Sequence, residues 1–330
     1  MSKIKLGIIG TGLAAKKLHW PALKKLNDLF EIKMVCNHTE PKAKEFAMLA
    51  GNIPYVLDYH ELMSHKNIEA VSIILPIHLN YPVTRDALKS GKHVMVEKPL
   101  AANLHQGKNM LALDKKYPHV KMVAENFRYR NTFKRVTALM EEGQAGKIHA
   151  AVWNVFHHVE GEINPYAKTE WRIKHQYPGG FITDGGVHYI AAIRELFGEI
   201  TDGYAWTASI NPGIGTPDSM SFQFRTDRNV SGLLNLFFTT GGIEENRLVI
   251  LGDRGSVITE NNRIILKKIN HDDLVEETDD GGGYMGEYLN FYEAIRHGEL
   301  VDSSFEKAYI DLKIILSALK SAENKRRIRA

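Results

Sequence analysis

The apolar run Ile4–Ile9 ends in Gly10-Thr11-Gly12-Leu13-Ala14-Ala15 and is followed by Leu18, Ala22 and Leu26, spaced to share one helical face. A strand, a G-x-G-x-x-A turn and a helix in that order open a β-α-β unit, which commits this part of the chain to a parallel sheet. Downstream, apolar runs at 32–36, 70–75, 93–96 and 121–123 alternate with amphipathic stretches such as Val83, Ala87 and Leu88. Runs apolar on both faces are the pattern of strands covered by helices on both sides. The glycines of the first turn let a pyrophosphate approach the N-terminus of the following helix, with Gly10, Thr11, Gly12, Leu13 and Ala15 as its contacts.

Beyond Lys147 the rhythm changes to alternating strands at 148–155, 204–210, 219–225, 230–238, 247–251, 256–259 and 263–268. They are separated by turn chemistry at Asp227-Arg228-Asn229, Gly252-Asp253-Arg254-Gly255 and Asn261-Asn262. A helix from near Asp184 to Gly198 interrupts them, and the last helix, over 304–324, opens on Ser303 and Glu306 at capping-box spacing. The expected architecture is therefore a doubly wound, Rossmann-type parallel sheet over 1–124, then an α+β domain over 125–330 on a mostly antiparallel open sheet. The last helix is expected to pack back on the first domain. In the run 230–238, Leu234, Leu236 and Phe238 take one face and Leu233, Asn235 and Phe237 the other, so both faces are largely apolar. One face meets the motif helix; the other is expected to meet a second copy, as a homodimer or homotetramer.

Composition narrows the partners. Across 330 residues, 42 Lys and Arg against 39 Asp and Glu leave a net charge of +3 spread along the chain. That balance gives neither a nucleic-acid groove nor a polybasic membrane patch. The basic run Lys325, Arg326, Arg327 and Arg329 falls at a helix end, where cations complement the dipole. The single cysteine, Cys36, excludes a disulfide framework, and the N-terminal segment reaches Gly10 too early for a signal-peptide core. No run approaches the ~20 apolar residues of a membrane span. A cytoplasmic protein is expected.

The second strand ends at Cys36-Asn37-His38-Thr39, where an NAD-preferring site places an acid against the ribose 2′-hydroxyl. Asn37 and His38 instead suit a 2′-phosphate, with Lys42 or Lys44 nearby in sequence to neutralise it. NADP(H) is accordingly favoured, with NAD(H) as the alternative.

Two clusters carry the chemistry: Glu97-Lys98-Pro99 at the carboxyl end of the fourth run, and Gly179-Gly180-Phe181-Ile182-Thr183-Asp184-Gly185-Gly186-Val187-His188. Oxidising a secondary alcohol needs a base for the hydroxyl proton and a cation or donor for the oxygen, and Lys98 and His188 can supply both. Asp184 and His188 are four apart and share a face if helical, so the carboxylate can orient the imidazole. Alternatively each is only a surface pair, or Asp184 and His188 with His157 or His158 ligate zinc.

These clusters resemble the Gfo/Idh/MocA oxidoreductases, the family of glucose-fructose oxidoreductase and inositol dehydrogenase, and the likeness extends to Glu125-Asn126-Phe127-Arg128 and Trp171-Arg172. The resemblance implies a metal-free mechanism with His188 as general acid/base, Lys98 as oxygen-binding and proton-sharing partner, and Asp184 as orienting carboxylate. Either Lys98 or His188 can move the proton. It further implies Leu75, Pro76, Asn80, Glu97, Lys98 and Asn126 at the cofactor, and Lys98, Arg128, Trp171, Arg172, Asp184 and His188 at the substrate. The chain departs from the family pattern at Ile77 and Asn80, where Asn and His are frequent, and at Ala191, where Asp is frequent. The expected activity is hydride transfer between nicotinamide and a sugar, cyclitol or related polyhydroxy compound, between alcohol and ketone or between aldose and lactone. The rival readings are a catalytically idle sensor or scaffold of the same fold, and a reductase of unsaturated or tetrapyrrole-like substrates.

Overall fold

The computed structural model describes residues 2–160, 164–260, 262–279 and 281–329. Asn261, half of one expected turn, lies outside them. The chain divides into two compact units: residues through Asn126 with Tyr284–Leu312, and Phe127–Gly283 with the chain from Lys313 onward. The segment 284–312, far along the sequence, thus belongs to the first unit.

The first unit holds six parallel strands: β1 (Ile4–Ile9), β2 (Phe30–Cys36), β3 (Tyr55–Val56), β4 (Ala70–Ile73), β5 (His93–Glu97) and β6 (Lys121–Ala124). Their order is β3-β2-β1-β4-β5-β6. The order reverses between β1 and β4, and in such sheets ligands bind beyond the carboxyl ends of the strands at that reversal. Leu6, Ile8, Val35, Val71, Val94 and Val96 are all fully buried, as the runs apolar on both faces require.

The second unit is a nine-stranded sheet of β7 (Ile148–Phe156), β8 (Ile200–Ala208), β9 (Ser219–Thr226), β10 (Ser231–Phe237), β11 (Glu245–Gly252), β12 (Gly255–Glu260), β13 (Arg263–Lys268), β14 (Leu274–Glu277) and β15 (Ile328–Arg329). Every pairing is antiparallel except β7 with β10. The basic C-terminal run therefore leaves the last helix and enters β15 against β8, where Arg327 pairs with Asp202.

Helix Gly180–Phe197 covers the inner face, starting four residues before the expected Asp184. A Cβ on Gly186 would fall 2.9 Å from Leu236 Cδ1, and one on Gly185 would fall 3.3 Å from the Phe238 ring. The glycine pair therefore lets the helix approach the Leu236 and Phe238 face of the sheet. The last helix, Phe305–Asn324, is capped by Ser304, whose Oγ accepts from Lys307 N at 3.2 Å, one residue later than the Ser303 box expected. Its Tyr309 packs on Gly107 in the first unit, and its Ile315 and Leu319 lie beside Gly186 and Gly179 in the second.

The outer face carries a register row of apolar side chains, Leu233, Val152, Val249, Ile258, Ile265 and Val275. Beside it runs a hydrogen-bonded ladder in which Ser221 Oγ donates to Asn235 at 2.8 Å and Asn235 donates to Asn154 at 2.9 Å. Phe156 and Phe237 stack at 5.4 Å.

Candidate active site

The glycine turn is closed on one side and open on the other. Gly10 has φ +98°, and a Cβ there would lie 2.0 Å from the Ile74 carbonyl oxygen; at Gly12 a Cβ would meet nothing within 4 Å. Only glycine suits the first position, and the free space at the second fits a pyrophosphate set against the helix that follows. That helix enters through Leu13 and a π-helical turn, Ala15–His19. Thr11 is fully buried and donates to the Lys42 carbonyl at 2.9 Å, which ties the turn to the region after β2. There the Asn37 carboxamide oxygen accepts from Thr39 N at 2.9 Å, while His38, Lys42 and Lys44 are exposed. Cys36, beneath them, has its thiol pushed up to about 12 by burial and by Asp58 and Glu61, so it is inert.

Leu75 and Pro76 are half-buried and lead from β4 into the short turn Ile77–Leu79. Asn80, expected at the cofactor, is fully buried, and its Nδ2 donates to the Glu97 carbonyl at 2.7 Å and the Pro99 carbonyl at 2.8 Å. It therefore holds the segment that carries Lys98. The Glu97 side chain accepts from His19 Nε2 at 2.6 Å. Asn126, 5% exposed, opens the turn Asn126–Tyr129 after β6.

In the second unit, helix Gly180–Phe197 carries both Asp184 and His188, so the expected shared face exists. Asp184 accepts from Arg172 Nε at 2.6 Å, and Arg172 also donates to Thr169 Oγ1 at 3.0 Å while lying 4.0 Å from the centre of the Trp171 ring. Arg172, expected at the substrate, is thus joined to the motif carboxylate. The Tyr177 hydroxyl is buried without a hydrogen-bond partner, and burial, reinforced by Asp184, raises it above the ordinary phenol range. His188 stacks on Phe127 at 4.8 Å, and Phe127 also packs against Phe133 and Tyr189.

Arg128, expected at the substrate, is buried beside the motif helix. Its side chain is 1% exposed and pairs with Glu195 of the motif helix, because a guanidinium this deeply buried requires a carboxylate. Trp153 is 2% exposed in the core and donates to Asn246 at 2.9 Å. Among the described residues no group of three or more His, Cys, Asp or Glu is placed to hold a metal ion, and no helix is long and apolar enough to cross a membrane.

A parallel sheet with strand order 3-2-1-4-5-6, a glycine turn open to a pyrophosphate and a clamped Glu-Lys-Pro segment define a nicotinamide-dependent oxidoreductase. Residues 4–127 match the family model for the oxidoreductase family, NAD-binding Rossmann fold, and residues 133–258 match that for the GFO/IDH/MocA C-terminal domain. The chain belongs to the Gfo/Idh/MocA family. It is similar to an oxidoreductase of Thermotoga maritima of known structure, 34% identical over 99% of this chain and 98% of that one, with a TM-score of 0.93. It is 28% identical to the scyllo-inositol 2-dehydrogenase (NADP(+)) IolW of Bacillus subtilis over 59% of this chain and 52% of that enzyme. Its fold also matches that of levoglucosan dehydrogenase complexed with NADH and levoglucosan, at a TM-score of 0.89 and 21% identity over 99% of both chains.

Proposed function

We propose that this oxidoreductase transfers hydride between nicotinamide and a CH–OH group of a sugar, cyclitol or related polyhydroxy compound, with NADP(H) preferred over NAD(H). The observation that carries the reading is the Glu97-Lys98-Pro99 segment at the carboxyl end of β5, whose backbone Asn80 clamps at the ligand-binding edge of a dinucleotide fold. The kinship with inositol and levoglucosan dehydrogenases supports the substrate class, and the absence of an acid at Asn37-His38 supports the cofactor preference.

When bound, the nicotinamide takes or returns the hydride. Lys98 holds the reacting oxygen and stabilises the charge that develops on it. His188 takes the hydroxyl proton in the oxidative direction and returns it in the reductive one, its ring held against Phe127. Asp184, itself anchored by Arg172, orients the substrate and the imidazole. Trp171, packed on the Arg172 guanidinium, offers an apolar ring for a sugar face.

The outer sheet face, with Leu233, Val152 and Val249 in one row, is the surface through which two copies associate. Nicotinamide absorbance during turnover of a panel of inositols, aldoses and anhydrosugars tests the activity.

A further inference from the structure

His19 is fully buried in the turn Ala15–His19 and makes hydrogen bonds to residues far away in sequence. Its Nε2 lies 2.6 Å from Glu97 Oε1 and its Nδ1 lies 3.0 Å from the Tyr288 hydroxyl. A carboxylate only accepts, so Nε2 carries a proton, and in the neutral ring Nδ1 accepts from Tyr288. The Tyr288 oxygen in turn lies 3.2 Å from Ser72 Oγ, and the Tyr284 and Tyr288 rings stand edge-on to the imidazole at 5.7 and 5.8 Å. The ring is fixed on every side.

A second carboxyl, Glu287, is fully buried 3.8 Å from His19 Nδ1, with neither oxygen hydrogen-bonded. Burial, together with Glu97 and Glu125, pushes Glu287 well above the usual carboxylate range. Its neutral form is favoured, so it does not compete with Glu97 for the imidazole proton. On the other side, Asn80 bonds the carbonyls of Glu97 and Pro99. Lys98 therefore projects from a backbone held by the preceding side chain and by the carbonyls on both sides.

We propose that His19 is a positioning residue that, by holding Glu97, sets the backbone from which Lys98 reaches the reacting oxygen. The proposal rests on the reading that Lys98 acts at that oxygen. His19 sits in the helix entered through the glycine turn, so one element both begins at that turn and holds Glu97, the residue before Lys98. Freed from His19, the Glu97 carboxylate becomes available to the neighbouring Lys98 ammonium. A catalytic group displaced by ~1 Å loses about 100-fold in rate.

The test compares His19→Asn, which no longer reaches Glu97, with His19→Gln, whose amide nitrogen can stand in for Nε2. Each is made in the full chain beside Lys98→Ala and Tyr288→Phe. One readout is the rate of Lys98 acylation by acetic anhydride at fixed pH, followed by mass spectrometry, which needs no substrate. The other is turnover and KM with NADPH and the sugar and inositol panel. His19→Asn is expected to slow Lys98 acylation by about threefold or more and to lower kcat by about tenfold or more with KM for NADPH unchanged. His19→Gln should restore both, and Tyr288→Phe, which leaves the imidazole in place, should shift both in the same direction by less. Wild-type Lys98 labelling in both His19→Asn and Tyr288→Phe overturns the proposal. Full turnover in His19→Asn beside an inactive Lys98→Ala overturns the proposal and leaves the function standing. Full turnover in Lys98→Ala overturns the role of Lys98 and the proposal with it.

Discussion

Arg172 Nε donates to Asp184 Oδ2 at 2.6 Å, joining two side chains that are 13% and 7% exposed. Asp184 is thus anchored by a cation of its own unit. Removing one member of such a pair leaves the other buried and uncompensated, a cost of about 3–5 kcal/mol when burial is complete. Asp184→Ala is expected to lower the unfolding free energy by about 3 kcal/mol in urea titration. The double variant with Arg172→Ala should reveal a coupling of about 1–3 kcal/mol. Strictly additive losses would contradict the pairing.

The two glycines of the first turn should fail in different ways. Gly10→Ala places a Cβ against the Ile74 carbonyl at positive φ, so the folded protein itself is expected to lose stability by about 2 kcal/mol or more. Gly12→Ala has open space around it and should unfold at the wild-type temperature while losing NADPH binding in fluorescence titration. The same titration on the wild type is expected to give NADPH affinity at least equal to that for NADH. A ~10-fold preference for NADH, about 1.4 kcal/mol, would contradict the role given to Asn37 and His38.

Burial, with His119 beside it, pushes the His93 imidazole from its ordinary 6.5 down to about 4. Its Nδ1 accepts from Val120 N at 3.0 Å, a bond that requires the unprotonated nitrogen. Between those two values the unfolded chain binds a proton that the folded chain does not, so stability falls as pH descends through the window. The expected loss is on the order of 2 kcal/mol. His93→Asn keeps an acceptor and removes the titration, so its stability between about pH 6.5 and 4 should fall less steeply. An unchanged slope would contradict the assignment.

Association through the outer sheet face predicts a multiple of the 37.3 kDa chain mass in light scattering. Leu233→Lys or Phe237→Lys should return the protein to a single chain without unfolding it. Leu236, fully buried against the motif helix, is the contrasting position, where lysine should unfold the protein. A wild-type mass of 37.3 kDa would refute the interface.

Much of this was legible in the residues. The apolar runs at 4–9, 32–36 and 70–75 mark the parallel strands β1, β2 and β4, although Ile32 and Met34 are only half-buried, and the Asp184 to His188 spacing matches the shared helical face. The two-residue β3 is too short for any periodicity, while β14 is largely exposed and β15 follows a run of cations, so neither carries an apolar signal. His19 sits in sequence beside Lys16 and Lys17 and looks solvated; its partners Glu97 and Tyr288 are 78 and 269 residues away. Asn80 is expected at the cofactor from the family resemblance, and both its amide hydrogens go to carbonyls of the Lys98 segment, a role no local spacing shows. Such roles arise from tertiary placement, which local spacing does not encode.

The central claim is that Lys98 and His188 act on the reacting oxygen while the glycine turn holds the cofactor. It is tested most directly by steady-state turnover of Lys98→Ala and His188→Ala on the best substrate of the inositol and sugar panel, with NADPH affinity measured alongside. Each variant is predicted to lose about 100-fold or more in kcat with NADPH binding nearly unchanged, and full turnover in Lys98→Ala would contradict the account.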